Sequence, residues 1–300
     1  MDQQKVYNDL LGLITQKIKP LPDKPNETPQ KTLETLWYFS CGYTSKHGND
    51  SGHSLPALDK TKLNHLKELI HQRAQGIPLA YIVGNESFME VDFKVDNRAL
   101  IPRKETEILG YSALNIINEK AKQKEEVRII DLCTGMGNLA LAFAYHQPKT
   151  KIWASDLSEE AIALANENVR MLGLEERVSF FPGDMFQSLS GKNLSDSIDV
   201  ITCNPPYIST AKVETLPEEI ASYEPKMAFN GGSIGIQIIL RLIHDSVDFL
   251  QNEGWLCFEV GLGQGPGILK FVERNKYFFK TATAKNENGD IRVIMAQIKK

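Results

Sequence analysis

The chain has 300 residues, of which 42% are hydrophobic and 24% charged, and its formal net charge is −4. This length is enough for one complete α/β core with a smaller unit beside it. No apolar run approaches the ~18 residues of a membrane span, and the polar N-terminus lacks the apolar centre of a signal peptide, so we expect a cytoplasmic protein that does not associate with membranes. The acidic balance argues against direct nucleic-acid binding, which usually needs a basic surface. The four cysteines lack the spacing of a zinc site, and we predict no metal.

Residues 1–76 are predicted to form a small helical bundle. Apolar residues recur at three- and four-residue steps between Val6 and Ile18, and a second helix is expected around Leu33–Phe39. Prolines at 20, 22, 25 and 29 separate the two. A third helix is predicted from about Asp59 to Gln75, and the Gly-, Ser-, Asn- and His-rich residues 45–54 before it are typical of an exposed loop.

Residues 77–104 are predicted to be a β-hairpin linker. From Tyr81 the apolar residues alternate, and Phe88, Val91, Phe93 and Val95 fit two paired strands. The paired strands are expected to end at Leu100-Ile101-Pro102.

Residues 105–300 alternate between strand and helix patterns, which indicates a mostly parallel sheet with helices on both faces. A Gly-containing turn at 286–289 joins the last two strands, and this hairpin is expected to put an antiparallel strand at the sheet edge. The predicted strands are 127–131, 151–155, 178–181, 198–203, 255–260, 278–284 and 291–298, and the predicted helices include 139–145, 159–172 and 236–250.

The first of these strands ends in an acid and a glycine-rich turn, Asp131-Leu-Cys-Thr-Gly135-Met-Gly137. Ligands of open α/β sheets bind at such strand ends, where glycine lets the backbone approach them closely. Asp131 suits a cationic ligand group such as an amino group. Asp156 follows the next strand and could bind a ribose diol, although it could also cap the following helix in competition with Ser158. Asp184, after the third strand, could accept the adenine amine or be a turn aspartate.

Asn204-Pro205-Pro206-Tyr207 follows a buried strand and is the most informative motif. Two prolines stiffen the backbone and remove two N–H donors. The Asn204 side-chain oxygen and the Pro205 carbonyl can then hold both N–H bonds of a planar amide or exocyclic amine, and Tyr207 can stack on its plane. This arrangement is suited to methyl transfer to a poorly nucleophilic nitrogen, with Asn204, Pro205 and Tyr207 as the catalytic residues.

The sequence resembles the HemK/PrmC family of glutamine N5-methyltransferases over about residues 70–298. The resemblance rests on 73–84, on Pro102-Arg-Lys-Glu-Thr-Glu107, on the motifs above, and on 224–225, 231–232, 259–265 and 288–293. It implies a class I, Rossmann-like methyltransferase domain that uses S-adenosylmethionine. It also implies a peptide chain release factor, with its Gly-Gly-Gln tripeptide, as the protein substrate.

The resemblance also implies a set of site residues. The N-terminal bundle would help to recognise the protein substrate, and the glutamine would bind to Asn204–Tyr207 with Arg103 and Glu107 nearby. Cys133 stands where the family commonly has glycine, and Met185 stands where an aromatic residue can cover adenine. The implied cofactor residues are Asp131, Cys133, Thr134, Gly135, Met136, Gly137, Asp156, Leu157, Asp184, Met185 and Asn204.

Several alternatives stay open at this point. Within the same chemistry the substrate could be a ribosomal-protein glutamine, and from a neighbouring class it could be adenine N6 or guanine N2 of a nucleic acid. A nicotinamide dehydrogenase would need a catalytic His or Tyr/Lys pair, and none stands out. Arg103, Thr106 and Glu107 could either shape the substrate pocket or anchor the hairpin.

Overall fold

A computed structural model describes residues 2–18, 21, 24–25, 27–43 and 55–300 of the chain. The predicted loop at 45–54 and the prolines at positions 20 and 22 lie outside these residues. Within the described ranges, no helix is both long and apolar enough to cross a membrane.

Three capped helices make up most of the N-terminal region: α1 (Gln3–Lys17), α2 (Pro29–Ser40) and α3 (Lys60–Ala74). Each begins after a residue whose side chain accepts a backbone N–H of the first turn, as N-capping residues do. Pro29 does not break a helix but occupies the first turn of α2, where its missing N–H costs nothing. The helices share a hydrophobic cluster around Trp37, which is fully buried and donates from Nε1 to the Pro56 carbonyl at 2.9 Å.

The hairpin begins later than its alternation predicted. Residues 79–83 form a short helix, α4 (Leu79–Val83), which ends at Gly84 in the left-handed conformation. Strands β1 (Asn85–Phe88) and β2 (Val91–Lys94) then pair antiparallel. Phe88 and Phe93 pack into the core of the following α/β region and not into the helical cluster. The hairpin is therefore part of the larger core.

The remaining residues form a seven-stranded sheet with the strand order β5-β4-β3-β6-β7-β9-β8. All neighbouring pairs from β5 to β7 are parallel, whereas β9 is antiparallel to both β7 and β8. The predicted antiparallel hairpin is thus present at one side of the sheet, with β9 next to last and β8 at the edge. The strands are β3 (Val127–Leu132), β4 (Thr150–Asp156), β5 (Val178–Pro182), β6 (Ile198–Cys203), β7 (Leu250–Glu259), β8 (Phe278–Lys285) and β9 (Ile291–Ile298).

Helices cover both faces of the sheet, as predicted. Those packed on one face are α5 (Glu107–Ala121), α6 (Asn138–His146) and α7 (Glu159–Leu172), and the opposite face carries α10 (Gln237–Asp245) and α11 (Gly265–Glu273). Two short helices, α8 (Thr210–Val213) and α9 (Glu218–Tyr223), lie in the segment after β6. The strand order reverses between β3 and β6, and ligands of open α/β sheets bind at such a switch point.

One helix is shorter than the sequence predicted. The pattern from Ile236 to Leu250 suggested a single helix, but α10 ends at Asp245 and a 3-10 turn, Ser246–Asp248, leads directly into β7. Phe249 continued the apolar pattern because it stacks on Phe186, with ring centroids 4.4 Å apart, and not because the helix continues.

Candidate active site

A cavity lies at the carboxyl ends of β3, β4 and β6, and it encloses about 1050 Å³ including open solvent at its mouth. Eleven of the residues considered for the site from the sequence line it: Arg103, Thr106, Cys133, Thr134, Gly135, Asp156, Leu157, Asp184, Met185, Asn204 and Pro206. The fold therefore brings the two predicted groups of site residues to one place.

The turn after β3 adopts conformations that favour glycine. Gly135 and Gly137 both have positive φ angles, of 56° and 86°, and Gly137 is the N-cap of α6. A Cβ atom on Gly137 would lie 2.7 Å from the Phe180 ring, so its role is close packing and not ligand contact. Cys133 has a φ of 53°, a left-handed conformation that is strained for a residue other than glycine. Met136 is 1% exposed and belongs to the core.

Asp131 lies beneath the cavity surface. Its side chain is fully buried and accepts hydrogen bonds from Thr134 Oγ1 at 2.5 Å and from Thr202 Oγ1 at 2.6 Å. Burial raises the pKa of Asp131 to about 6, against the opposing effect of these two hydroxyls. Thr134 lines the cavity and Asp131 does not, so an influence of Asp131 on a ligand is transmitted through Thr134.

Asp156 lies at the cavity surface and is held by backbone amides. The Gly135 N–H donates to Oδ2 at 2.8 Å, and the Ser158 N–H donates to Oδ1 at 2.9 Å. Ser158, and not Asp156, is the N-cap of α7, because its hydroxyl accepts the Ala161 N–H. Burial raises the pKa of Asp156. Leu157 also lines the cavity, and 58% of this large apolar side chain is exposed.

Asp184 and Met185 follow β5 and line the cavity as well. Asp184 Oδ2 accepts from Arg241 Nη1 at 2.7 Å, which leaves Oδ1 for a ligand donor. Met185 is buried with a positive φ of 46°, and its carbonyl accepts from the hydroxyls of Ser155 and Ser188.

The Asn204–Tyr207 motif follows β6 directly, and only two of its four residues line the cavity. Asn204 and Pro206 line the cavity, and Asn204 Nδ2 donates to Thr106 Oγ1 at 3.1 Å. Pro205 is buried. The hydroxyl of Tyr207 donates to Glu259 Oε1 at 2.9 Å, and burial raises the pKa of Tyr207. The Tyr207 hydroxyl is thus fixed by Glu259, and the expected stacking role of the Tyr207 ring stays a prediction.

A glycine loop packs directly on this motif. A Cβ atom on Gly231 would lie 2.5 Å from the Pro206 carbonyl oxygen, and one on Gly235 would lie 2.4 Å from the Tyr207 carbonyl oxygen. Gln264 Nε2 donates to the same Tyr207 carbonyl at 3.0 Å. Any larger residue at either glycine would push the motif out of place, which explains the small residues there.

The two charged residues of the 102–107 segment have different positions. Arg103 lines the cavity and donates from Nη2 to the buried carboxylate of Glu224 at 2.6 Å. Glu107 faces away from the cavity: it accepts the Met89 N–H at 3.1 Å and forms an ion pair with Lys104. These contacts favour the anchoring of the hairpin turn, and substrate binding by Glu107 stays a prediction.

Three residues that contact the site were not predicted as site residues. Glu224 accepts from Arg103, whereas Glu259 and Arg292 contact the Tyr207 hydroxyl. Thr106, which the sequence left open between shaping the pocket and anchoring the hairpin, lines the cavity and accepts from Asn204 Nδ2. The three missed residues lie in segments that carried the family resemblance, which was the available signal, but spacing along the chain does not reveal which distant side chains meet.

The chain is similar to a known family in sequence. The family described as "Methyltransferase small domain" matches residues 112–236. A release factor glutamine methyltransferase of Moorella thermoacetica is 37% identical over 201 residues, which cover 67% of this chain and 68% of the relative. A protein of the same name from Geobacter sulfurreducens is 34% identical over 267 residues, which cover 89% of each chain.

Solved structures share the fold at low sequence identity. The human METTL16 catalytic domain in complex with a MAT2A 3′UTR hairpin is 16% identical with a TM-score of 0.54, and the match covers 86% of this chain and 91% of that one. The N-terminal domain of human METTL16 is 14% identical with the same TM-score of 0.54, over 93% and 98% of the two chains. These likenesses establish a class I methyltransferase fold.

The extent of the sequence identity, the matching family and the shared fold lead to one conclusion. The chain belongs to the release factor glutamine methyltransferase family and is a methyltransferase that uses S-adenosylmethionine as its methyl donor.

Proposed function

We propose that this enzyme methylates the side-chain amide nitrogen N5 of the glutamine in the Gly-Gly-Gln tripeptide of a peptide chain release factor. The observation that carries the proposal is the position of Asn204 and Pro206 at the cavity surface, beside Arg103 and within one cavity with Asp156. Relatives of the same family that are named release factor glutamine methyltransferases support this choice of substrate. Because release factors act on ribosomes, the proposal places the enzyme in the cytoplasm.

The residues at the β3 and β4 ends fit S-adenosylmethionine. Asp156 has free lone pairs for a ribose diol, the exposed apolar face of Leu157 suits an adenine ring, and Asp184 Oδ1 is available for the adenine amine. The open turn at Gly135, where a Cβ would meet nothing within 4 Å, leaves room for a methionine moiety near Thr134. Asp131 would favour its amino group through Thr134. When bound, this cofactor supplies an electrophilic methyl group on a sulfonium.

The acceptor amide is held by the Asn204 motif. The Asn204 side-chain oxygen and the Pro205 carbonyl accept the two N–H bonds of the glutamine amide, and Tyr207 contacts its plane. An amide nitrogen is a poor nucleophile because its lone pair is delocalised, so most of the rate enhancement comes from positioning and from stabilising the nitrogen as it becomes pyramidal. With the cofactor bound, the C–N bond would form as the sulfonium C–S bond breaks, and the neutral thioether would be the leaving group. The nitrogen then loses a proton that has become acidic, so no dedicated general base is required.

We further propose that residues 1–76 form a domain that recognises the protein substrate, that 77–104 are its linker, and that 105–300 are the catalytic domain. Ion pairs link the first unit to the segment after the Asn204 motif: Glu219 of α9 accepts from Arg73 Nη1 at 2.9 Å and from Lys24 Nζ at 3.3 Å. All three side chains are nearly buried. A protein docked on the helical bundle would therefore lie beside the segment that borders the cavity.

A labelling experiment tests the function. The enzyme and methyl-labelled S-adenosylmethionine are incubated with a release factor, with its Gln→Ala variant in Gly-Gly-Gln, with ribosomal subunits and with DNA. We expect label in the release factor and none in the Gln→Ala variant. Label in ribosomal subunits alone would indicate a ribosomal-protein glutamine. Label in DNA alone, or equal label in both release factors, would overturn the proposal.

A further inference from the structure

We propose that Asn168 is a positioning residue of the cofactor site, because it ties the turn after β3 to the linker that also lines the cavity. Asn168 lies in α7, is fully buried and does not line the cavity itself. The inference deepens the proposed function and rests on it in one respect, namely that the turn at 133–137 contacts S-adenosylmethionine. It gives a residue outside the cavity a measurable share of cofactor binding.

The side-chain amide of Asn168 has one defined orientation. Oδ1 accepts the backbone N–H of Lys94 at 2.8 Å, and Nδ2 donates to the carbonyl of Lys94 at 3.1 Å and to the carbonyl of Met136 at 3.3 Å. A backbone N–H only donates and a carbonyl oxygen only accepts, so a rotated amide would place N–H against N–H and oxygen against two oxygens. All three partners are main-chain groups, which cannot rotate away as a side chain can. Asn168 therefore fixes two segments of backbone relative to each other.

The Met136 carbonyl belongs to the turn that is proposed to contact the cofactor. Met136 follows Gly135, whose φ is 56°, and Cys133 in the same turn has a φ of 53°. A left-handed residue other than glycine persists only where surrounding contacts enforce its conformation. The Gly135 N–H joins the turn to Asp156 at 2.8 Å, and Asn168 joins the turn to α7. Loss of the Asn168 contact should therefore loosen the turn and, through Gly135, the hold on Asp156.

The Lys94 end of the contact belongs to the linker. Lys94 is the last residue of β2, and the chain that follows it reaches the cavity within a few residues. The linker residues that line the cavity are Arg98, Ala99, Leu100, Pro102 and Arg103. The spacing between the start of this part of the wall and the cofactor turn is therefore set by one buried side chain.

The two residues before Asn168 in α7 make different contacts and serve as comparisons. Asn166 Nδ2 donates within the helix to the Ile162 carbonyl at 2.9 Å. Glu167 accepts from Lys94 Nζ at 2.6 Å and from Arg98 Nη1 at 2.7 Å, so it holds the linker from the protein surface. Such partly exposed ion pairs contribute little. Of these three consecutive residues, Asn168 is the one that bonds to both the linker and the cofactor turn.

Two substitutions of Asn168 test the inference. Asn168→Asp keeps the size of the side chain and the acceptor for the Lys94 N–H, but it replaces both N–H donors by a second oxygen. We expect the Kd of S-adenosylhomocysteine to rise by about 10-fold, the effect of losing one hydrogen bond. At saturating cofactor, kcat should stay within about 3-fold. Asn168→Ser, which puts no charge in the core, should raise the Kd in the same direction.

The controls are Glu167→Gln and Asn166→Ala, and both should keep the Kd within about 3-fold of the wild type, since neither side chain bonds to the turn. Calorimetry measures the Kd at a temperature at which circular dichroism shows each variant to be fully folded. A loss of stability alone would then leave the Kd unchanged. A wild-type Kd in a folded Asn168 variant would overturn the inference, as would an equal rise in the Kd of Glu167→Gln.

Amide exchange in the cofactor-free protein keeps this test separate from the proposed function. We expect the Gly135 N–H to exchange at least about 10-fold faster in the Asn168 variants than in the wild type and the two controls. In the wild type, the side-chain N–H bonds of Asn168 should exchange slowly because both are engaged. Rapid exchange of these wild-type signals would overturn the inference even if neither variant folds, and so would unchanged Gly135 exchange in a folded variant. A wild type that binds S-adenosylhomocysteine but does not methylate the release factor would overturn the proposed function and leave the Asn168 inference standing.

Discussion

The two sides of the cavity are built from different kinds of groups. The cofactor side (133–137, 156–158 and 184–185) presents backbone amides and turns, and its central carboxylate, Asp156, is held by two N–H groups of the main chain. The acceptor side (Thr106, 204–207, Glu259 and Arg292) is held by a chain of side chains that meet from distant parts of the sequence. Backbone amides are available with almost any sequence, whereas a side-chain network depends on each member. We therefore expect substitutions on the cofactor side to weaken binding and substitutions on the acceptor side to slow the reaction.

The largest effect is expected on the acceptor side. Asn204→Ala removes the side-chain acceptor and should lower kcat by about 10³-fold, since loss of one preorganised polar contact at a reacting group costs about 10²–10³ in rate. The Kd of S-adenosylhomocysteine should change by less than about 3-fold. Steady-state kinetics and calorimetry on the same preparation measure both.

A control for this substitution is Asn166→Ala, because Asn166 donates within α7 to the Ile162 carbonyl and does not line the cavity. Its kcat should match that of the wild type. Undiminished turnover in Asn204→Ala would remove Asn204 from the mechanism.

A stability difference is expected between the wild type and Asp131→Asn, and its pH dependence has a definite sign. The folded-state pKa of about 6 lies above the ordinary value of 3.8, mainly because of burial. The contribution of Asp131 to stability is therefore present below pH 3.8 and is lost as the pH rises through about 6. Between a pH below 3.8 and a pH above 6, the unfolding free energy of the wild type should fall by about 3 kcal/mol relative to that of Asp131→Asn. About 1 kcal/mol of this fall should occur between about pH 5 and pH 7.

Urea unfolding of the two proteins at pH 5, 6 and 7 measures this difference. The predicted outcome is that the unfolding free energy of Asp131→Asn rises relative to that of the wild type at each step to higher pH. A constant difference would show that the Asp131 carboxyl is ionised throughout and would contradict the view that it is held away from solvent.

On the cofactor side, Asp156→Asn should weaken cofactor binding without a matching loss of rate. The amide has one acceptor atom in place of two and no charge, so it offers a ribose diol a weaker contact; a hydrogen bond to a charged group contributes about 2 kcal/mol, or roughly 30-fold in the Kd of S-adenosylhomocysteine. At saturating cofactor, kcat should stay within about 3-fold. A loss of kcat as large as that of Asn204→Ala would remove the distinction between the two sides.

The smallest effect is expected at Asp184. Its ion pair with Arg241 is partly exposed, with side-chain exposures of 42% and 31%, and such pairs contribute little to stability. Asp184→Ala should raise the cofactor Kd by about 5-fold through loss of one hydrogen-bond acceptor. Arg241→Gln, which keeps the Asp184 carboxylate, is the matched variant and should leave the Kd nearly unchanged. Equal Kd values for the two variants would assign the effect to the ion pair.

The cofactor side was predicted from the sequence more completely than the acceptor side. Strand ends and glycine turns are local features, so Asp156 and Gly135 could be placed from short patterns, and Asn204 could be placed from its two following prolines. The contacts of the Asn204 motif join residues that are far apart in the chain, and no local pattern indicates that Thr106 meets Asn204 or that Glu259 meets Tyr207. The sequence left Glu107 open between two roles for the same reason, because its partner, the Met89 N–H, lies in a different element.

The ends of helices show a similar limit to what the sequence alone can predict. Glu159–Leu172 was predicted without error because Ser158 caps the helix and Gly173 ends it, both of which are visible in the sequence. The end of α10 was not predicted, because Phe249 carries on the apolar pattern for a tertiary reason, its stacking on Phe186.

The most direct test of the central claim is the position of the transferred methyl group. A release factor methylated by this enzyme is digested, and the peptide that contains Gly-Gly-Gln is fragmented in a mass spectrometer. We predict one methyl group on the side-chain amide of the glutamine in the wild-type reaction and an unmodified peptide with Asn204→Ala. A methyl group on any other residue, or an equally methylated peptide from both enzymes, would contradict the assignment of the Asn204 motif to a glutamine amide.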